Sequence, residues 1–479
     1  MSDLPIENTR YSLFGWRPSP FLSMPWIGVT DLKRGYISII ETPYDAEINL
    51  EKASYEGSPL ISSQVYWLPS QGRLTYTRKV LYYFSNDGGY VSLARYYNKY
   101  AKSRGFYVSL REKAEENPEV HKLIGAANIW IWEDARDIGI IRELKRSGIE
   151  KAIISFPGIS PQDPPPRLVD EINDLGFLAG RYDNYNIARP EEYEENAIRM
   201  EDGSLFKHPH GRERVFRCGK PGFELARRLI PEDLKDRRFL ARLIDTIASQ
   251  ELRECYDPGH PMSRGENAEY RAKLLAFAVS QGIVVGSEDV MDWAVPYLHY
   301  SEGPMSLERF MDRGMRRVRV PEGLDFKLVP MVPGPIYRKY GLGEYYRVPL
   351  YELVYHGAIV TTWHWRTSNH RVSGMWDKAD LFNILYGNMP LWWISRQLWR
   401  RNRDRFIRCF RDVCGWHERI GFDEMVDHRW LTEDRAVQET RFSSGLGVIV
   451  NFGDEPYVTA EGKTVKPRNY LITSPPVAG

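Results

Sequence analysis

The sequence predicts a parallel (β/α)8 barrel carrying β-rich segments at both ends. Three observations predict it. Beyond about residue 121, short apolar runs alternate with amphipathic helical stretches, the rhythm of a parallel sheet covered by helices. Eight such units fill roughly 280 residues, close to the usual barrel length of about 250. The first unit reads "WIWEDARDIG" and lacks the glycine-rich phosphate turn that follows the first strand of an open doubly wound sheet.

The elements follow in order. Roughly the first 110 residues read as β, because "GYISIIETP", "SSQVYWLP" and "GRLTYTRKVLYYF" are rich in β-branched and aromatic residues between turn formers. "YVSLARYYNKYAKSRG" reads as a helix with Leu93, Tyr96, Tyr97 and Tyr100 on one face and Gly105 as its stop. The barrel strands are then "LIGAANIWIW", "KAIISF", "FLAGRY", "FLARLIDTIA", "GIVVGSE", "FKLVPMV", "GAIVTTWHW" and "NMPLWWIS". "DARDIGIIRELKRSG" and "PRLVDEINDLG" are helices with apolar faces at helical spacing. Ser263 and Glu266 stand at capping-box spacing ahead of a further helix. After a helix at residues 402–419, the stretch from "VQETRF" to "NYLIT" alternates and turns like an antiparallel sheet. The expected units are residues 1–115, a partial β-sandwich; 116–420, the barrel; and 421–479, a C-terminal β-sandwich.

The chain has 479 residues with 65 basic and 64 acidic side chains. Near-neutral charge argues against a nucleic-acid or membrane-surface protein, which needs a sustained positive field. No stretch approaches the roughly 20 apolar residues of a membrane span. The N-terminus, "MSDLPIENTR", lacks the basic and apolar regions of a signal peptide, so a cytoplasmic location is expected. The 4 cysteines, Cys218, Cys255, Cys409 and Cys414, read as small core residues of a reduced protein. No cofactor is implied, and the sequence leaves a homo-oligomer open.

Chemistry in such a barrel sits where the strands' C-terminal ends share one mouth. The first strand ends near Trp132, Glu133 and Asp134, the third near Asp183, and the fourth carries Asp245. The fifth delivers Glu288, followed by Asp289 and Asp292. Asp245 and Glu288 are thus expected on adjacent strands. Two facing carboxyl groups are the machinery of glycoside hydrolysis: one ionised group meets the oxocarbenium-like centre, and the other donates a proton to the leaving oxygen. A gap of about 5–5.5 Å between them implies retention and a wider one inversion. An acid on strand six is disfavoured because "LVPMVPGP" offers none, and one on strand seven because "IVTTWHWRTS" offers none. A carboxylate at a strand end also serves to cap a helix or pair with arginine, and Asp183, Asp289 and Asp292 fit either role. Tyr182, Asp183, Trp293, Trp363 and His364 are the expected sugar-binding residues, with Tyr297 and Trp365 nearby.

The words "LIDTIASQELRECYDPGHP", "GIVVGSEDVMDW" and "RVPLYELVYHGAIV" resemble glycoside hydrolase families 101 and 129, the endo-α-N-acetylgalactosaminidases and α-N-acetylgalactosaminidases. The resemblance implies retaining hydrolysis of α-linked galactosamine-type sugars, with Asp245 at the nucleophile position and Glu288 at that of the acid/base. Two departures stand out. The N-terminal β region is shorter than the family's sandwich, and Glu288-Asp289 replaces a Glu-Trp pair. An α-galactoside is therefore as defensible a substrate. A transglycosylase of the same fold and a non-catalytic glycan-binding barrel are the alternatives.

The remaining motifs are weaker. "KHPHGRERVFRCGK" reads as a solvated basic loop, and His208 and His210 within it have no further ligand set for a metal. His356, His364 and His370 surround strand seven. Of these, His364 is placed either against a sugar hydroxyl or in the core.

Overall fold

The computed structural model describes residues 9–15, 21–132, 136–156, 164–208, 214–306, 315–317, 330–368 and 371–474. Eight parallel strands form its central sheet. They are β1 (Ala127–Ile131), β2 (Ala152–Phe156), β3 (Leu178–Asp183), β4 (Ala241–Ile244), β5 (Val284–Glu288), β6 (Tyr300–Glu302), β7 (Val360–Thr362) and β8 (Leu391–Ile394). Their spatial order is β7-β6-β5-β4-β3-β2-β1-β8. Every neighbouring pair is parallel. The sheet nearly closes on itself, and at the seam Met389 N donates to Thr361 O (3.1 Å).

The barrel interior is packed. Ile153, Leu178, Ala241, Leu243, Val284, Tyr300, Val360 and Leu391 form one buried cluster with Trp130 and Trp393. A second, larger cluster fills the space between sheet and helices, with Ile129, Ile154, Ala179, Ile244 and Val285 pointing outward. The two clusters take alternate residues of each strand, as the pleat requires.

The expected strands one to five, seven and eight form. The sixth does not form where expected. The barrel's sixth strand is "YSE", residues 300–302. Part of the expected segment, residues 326–329, lies outside the described residues. Its remainder meets Met331–Pro333, which pairs antiparallel with Met315–Arg317. The rhythm fails here because a 3-10 turn, Asp292–Tyr297, stands where a helix would separate β5 from β6.

Ahead of the barrel, two three-stranded antiparallel sheets face each other. One holds Thr9–Ser12, Ala46–Tyr55 and Ser58–Trp67; the other holds Trp26–Thr30, Gly35–Ile40 and Val80–Ser85. Leu13, Ile40, Ala46 and Ile48 are buried with Ile27 and Val65 between them. Helix Tyr90–Ser103 locks this region to the barrel. Its Tyr97 hydroxyl donates to Asp292 Oδ2 (2.7 Å), and Asn98 Nδ2 donates to Val354 O (2.6 Å). At the other end, Met425–Trp430, Val437–Phe442, Gly447–Asn451 and Asn469–Thr473 form a four-stranded antiparallel sheet. It packs on helix Trp376–Tyr386 through Phe382 and Phe452. No helix of the described residues is long and apolar enough to cross a membrane.

The inner layer beneath the mouth tolerates little change. A Cβ at Gly286 on β5 would come 2.3 Å from the ring of Tyr300 on β6. We expect Gly286→Ala to destabilise the fold by about 1–3 kcal/mol through overpacking. Urea unfolding checks this, and an unchanged midpoint would show that the layer relaxes freely.

Candidate active site

Strand register brings the carboxyl groups together. Ile244 pairs with Ser287 on β5 and with Asp183 on β3. One residue on, Asp245 therefore lies level with Glu288 and with Asn184. Glu288 itself pairs with Glu302 on β6. Leu243, Gly286 and Tyr300 make the layer below. Alternation then points Asp245, Glu288 and Glu302 into the mouth together.

Each carboxyl group is held by a different set of donors. Asp245 Oδ2 accepts from the Tyr182 hydroxyl (2.6 Å) and from Asn184 Nδ2 (2.8 Å). Glu288 Oε1 accepts from Trp365 Nε1 (3.0 Å), with His364 Nε2 at 3.4 Å. Glu302 Oε1 accepts from Asn128 Nδ2 (2.7 Å) and Trp130 Nε1 (2.9 Å), while its Oε2 has no hydrogen-bond partner among the described residues.

Burial dominates the electrostatics. It pushes Asp245 up to about 8, helped by the charge of Glu288 and by a hydrogen bond between the two carboxyl groups. Burial also raises Glu288, against the hydrogen bonds from Asp245 and Trp365. Glu302 is pushed up to about 8 by burial, with the charges of Glu288 and Asp245 adding to it. Two groups this close cannot both ionise cheaply, and their titration belongs to the pair rather than to either residue.

The backbone is strained directly after both members of the pair. Thr246 has φ +52° and Asp289 has φ +42°. For a β-branched threonine this is an outlier conformation, of the kind that collects at active sites. An aromatic wall completes the mouth. Trp365 stacks on Trp393 (5.3 Å between centroids, 12° between planes), and Trp393 lies 4.8 Å from Trp132. Trp130 meets Tyr182 edge-on at 6.2 Å. Arg371 lies over Trp393.

A family model described as "Glycosyl hydrolases related to GH101 family, GH129" matches residues 143–320 and 324–441. The chain belongs to glycoside hydrolase family 129. Among solved structures, α-N-acetylgalactosaminidase NagBb from Bifidobacterium bifidum, free of ligand, is similar at 25% identity with a TM-score of 0.71. That match covers 92% of this chain and 74% of the other. Its complex with GalNAc matches at 24% identity and TM-score 0.72, covering 94% and 74%. The GH36 α-galactosidase AgaA from Geobacillus stearothermophilus, in complex with 1-deoxygalactonojirimycin, shares the fold at 11% identity and TM-score 0.58, covering 98% and 71%. No curated protein sequence matches the chain significantly. The protein is a glycoside hydrolase.

Within this GH129 barrel, the structure brings together Asp245, Glu288, Tyr182 and His364. It does not bring Asp183, Trp293 or Trp363 to them. Asp183 faces outward, because Tyr182 and Asn184 take the inner positions on either side. It accepts from Arg181 Nε (2.9 Å) and Arg242 (2.5 Å) in a buried ion-pair network with Asp233. Trp363 is buried on the helical side, with its Nε1 donating to Asn383 Oδ1 (2.8 Å). Trp293 belongs to the 3-10 turn and lines a cleft shared with Tyr44, Tyr97 and Asp292, and Tyr297 packs in the same outer core. Asp289 sits with its carboxyl against Gly303, and Asp292 is tied to Tyr97. His356 is a core histidine bonded to the carbonyls of Asp423 and Gly387, and His208 packs near Phe216. Glu133, Asp134, His210 and His370 lie outside the described residues.

The sequence reading placed Trp132 at the end of the first strand but missed Asn184, Glu302, Asn128, Trp130 and Trp393. Asn184 was within reach: once Tyr182 faces inward, alternation places Asn184 inward and Asp183 outward. Glu302 corrects the expectation that strand six offers no carboxylate; the misplaced strand hid it. The one group of three close metal-ligating side chains among the described residues is Cys218, Cys255 and His260, in a separate buried cluster.

Glu302 gives this site a pH signature. Its folded-state value of about 8 stands above the ordinary 4.5, so the folded chain holds the proton more tightly than the unfolded chain. Stability from this group is present below about 4.5 and is lost as pH rises through about 8. We expect Glu302→Gln to gain in thermal midpoint relative to the wild type across that interval. A difference that stays flat with pH would contradict a neutral buried carboxyl here.

Proposed function

We propose that this chain is a retaining α-glycoside hydrolase acting on α-linked galactosamine- or galactose-type sugars, with Asp245 as nucleophile and Glu288 as acid/base. The observation that carries the proposal is the register that sets these two carboxyl groups level at the ends of adjacent strands, buried and near enough to interact. Carboxyl groups this close fall on the short, retaining side of the two glycosidase geometries. The likeness to NagBb, an α-N-acetylgalactosaminidase, supports the sugar class.

The chemistry proceeds in two displacements. Asp245 attacks the anomeric carbon while Glu288 gives the pair's proton to the departing glycosidic oxygen. The bond to that oxygen breaks, and a glycosyl ester forms on Asp245. Glu288, now ionised, takes a proton from water as the water oxygen attacks the same carbon and expels Asp245. Two inversions give net retention. Tyr182 and Asn184 both donate to Oδ2 of Asp245, which fixes the rotamer and leaves Oδ1 for attack. Trp365 stabilises the ionised Glu288 needed in the second step. Trp132, Trp365 and Trp393 offer flat apolar faces of the kind that stack on sugar rings.

We expect Asp245→Asn and Glu288→Gln each to lower kcat on the order of 10³-fold or more, with thermal midpoints nearly unchanged. Azide should restore turnover of an aryl α-glycoside in Glu288→Gln, giving a glycosyl azide. NMR of the first-formed sugar from an aryl α-N-acetylgalactosaminide or α-galactoside should show the α-anomer. A β-anomer formed first would refute retention, and glycan binding without cleavage of any activated α-glycoside would refute catalysis.

Trp365→Phe removes a donor that favours ionised Glu288. We expect it to move the basic limb of the kcat/KM profile to higher pH, since the pair then holds its proton more tightly. A basic limb that stays in place would remove Trp365 from this role.

A further inference from the structure

Three sulfur atoms and an imidazole converge behind the mouth. Cys218 stands at the N-terminus of helix Gly219–Asp236. Cys255, His260 and Met262 come from the loop that leaves β4 after Asp245. The ligand atoms of Cys218, Cys255 and His260 all lie within 4.8 Å of one another, and all three residues are buried. Cys255 Sγ is 3.3 Å from His260 Nδ1, and Cys218 Sγ is 3.7 Å from Met262 Sδ. A tetrahedral ion with metal–sulfur bonds of about 2.3 Å and metal–nitrogen bonds of about 2.0 Å has ligand–ligand edges of roughly 3.5–3.8 Å. The observed gaps stand close to those edges.

We propose that Cys218, Cys255 and His260, with Met262 as a weak fourth ligand, bind a thiophilic d10 cation that pins the loop behind Asp245 to the barrel. Zinc(II) is the charge-matched member of that class, because two thiolates neutralise it in a buried site; copper(I) is the other. Soft thiolate and thioether donors select these ions over calcium or magnesium. The site is closed, as structural sites are.

The surroundings fit a ligand set better than a chance cluster. Cys255 and Met262 are joined by reciprocal backbone bonds (2.8 and 2.9 Å), which hold their side chains in fixed register. His260 turns Nδ1 toward the sulfurs. Its Nε2 has no hydrogen-bond partner among the described residues and faces Asp257 Oδ1 at 3.9 Å. A carboxylate behind a ligating histidine is the common outer arrangement at zinc.

Metal content of the purified, untagged protein tests the proposal without reference to activity. Elemental analysis should find about one zinc or copper per chain after desalting, the single closed site of the proposal. The chelator-stripped protein should take up cobalt(II) with thiolate charge-transfer and tetrahedral ligand-field bands. Cys218→Ser and His260→Ala should each lose bound metal at least about tenfold, as loss of one ligand from a four-ligand site requires, while Cys409→Ser should retain it. If the cysteine variant misfolds, His260→Ala and the cobalt spectrum of the wild type still decide. Absence of zinc, copper and cobalt binding in the wild type would overturn the proposal, as would a Cys218–Cys255 disulfide found by peptide mass spectrometry.

Discussion

Two carboxyl groups buried where only one charge is affordable form the constraint around which the mouth is built. The β4–β5 register sets Asp245 beside Glu288. Burial makes the second ionisation costly, and the surrounding donors then decide where negative charge rests. Tyr182 and Asn184 serve Asp245, and Trp365 serves Glu288. Glu302 stands next in line, kept from charging by the same burial, with the charges of Glu288 and Asp245 adding to it. Strained backbone at Thr246 and Asp289 follows directly after the pair, where the chain turns out of the strands.

The scaffold holds this arrangement from outside. Arg242 on β4 is 1% exposed and bonds both Asp183 on β3 and Asp233 on the helix between them. Removing one partner from such a network leaves an uncompensated buried charge, a cost of about 3–5 kcal/mol. The network therefore fixes the relative position of β3 and β4, and with it the reach of Tyr182 and Asn184 to Asp245. On the far side, Tyr97 and Asp292 tie the N-terminal region to the turn between β5 and β6. The N-terminal β region thus braces the strands whose ends carry Glu288 and Glu302.

Much of this was legible in the sequence, for a physical reason. Strands buried on both faces must be continuous apolar runs, and seven of the eight announce themselves so. The sixth is three residues long, "YSE", and carries a glutamate inward; nothing in its hydrophobicity marks it. The apolar "FKLVPMV" drew the assignment instead. Asp245 and Glu288 were legible because each directly follows or ends an apolar strand. Trp293 and Trp363 were misplaced because type and proximity along the chain do not report which face a side chain takes; the face of Asp183 follows from the alternation that sets Tyr182 inward. The convergence of Trp130, Trp132, Trp365 and Trp393 depends on strands β1, β7 and β8 meeting at the seam, which no local pattern records.

A mechanism-based label tests the central claim most directly. A 5-fluoro-α-galactosyl or 5-fluoro-α-N-acetylgalactosaminyl fluoride slows release of the glycosyl ester more than its formation, so the ester accumulates on a retaining enzyme. Peptide mass spectrometry of the trapped protein should find the sugar on the Asp245 carboxyl. A sugar on Glu288 or Glu302, or turnover of the fluoride with no ester formed, would contradict the account.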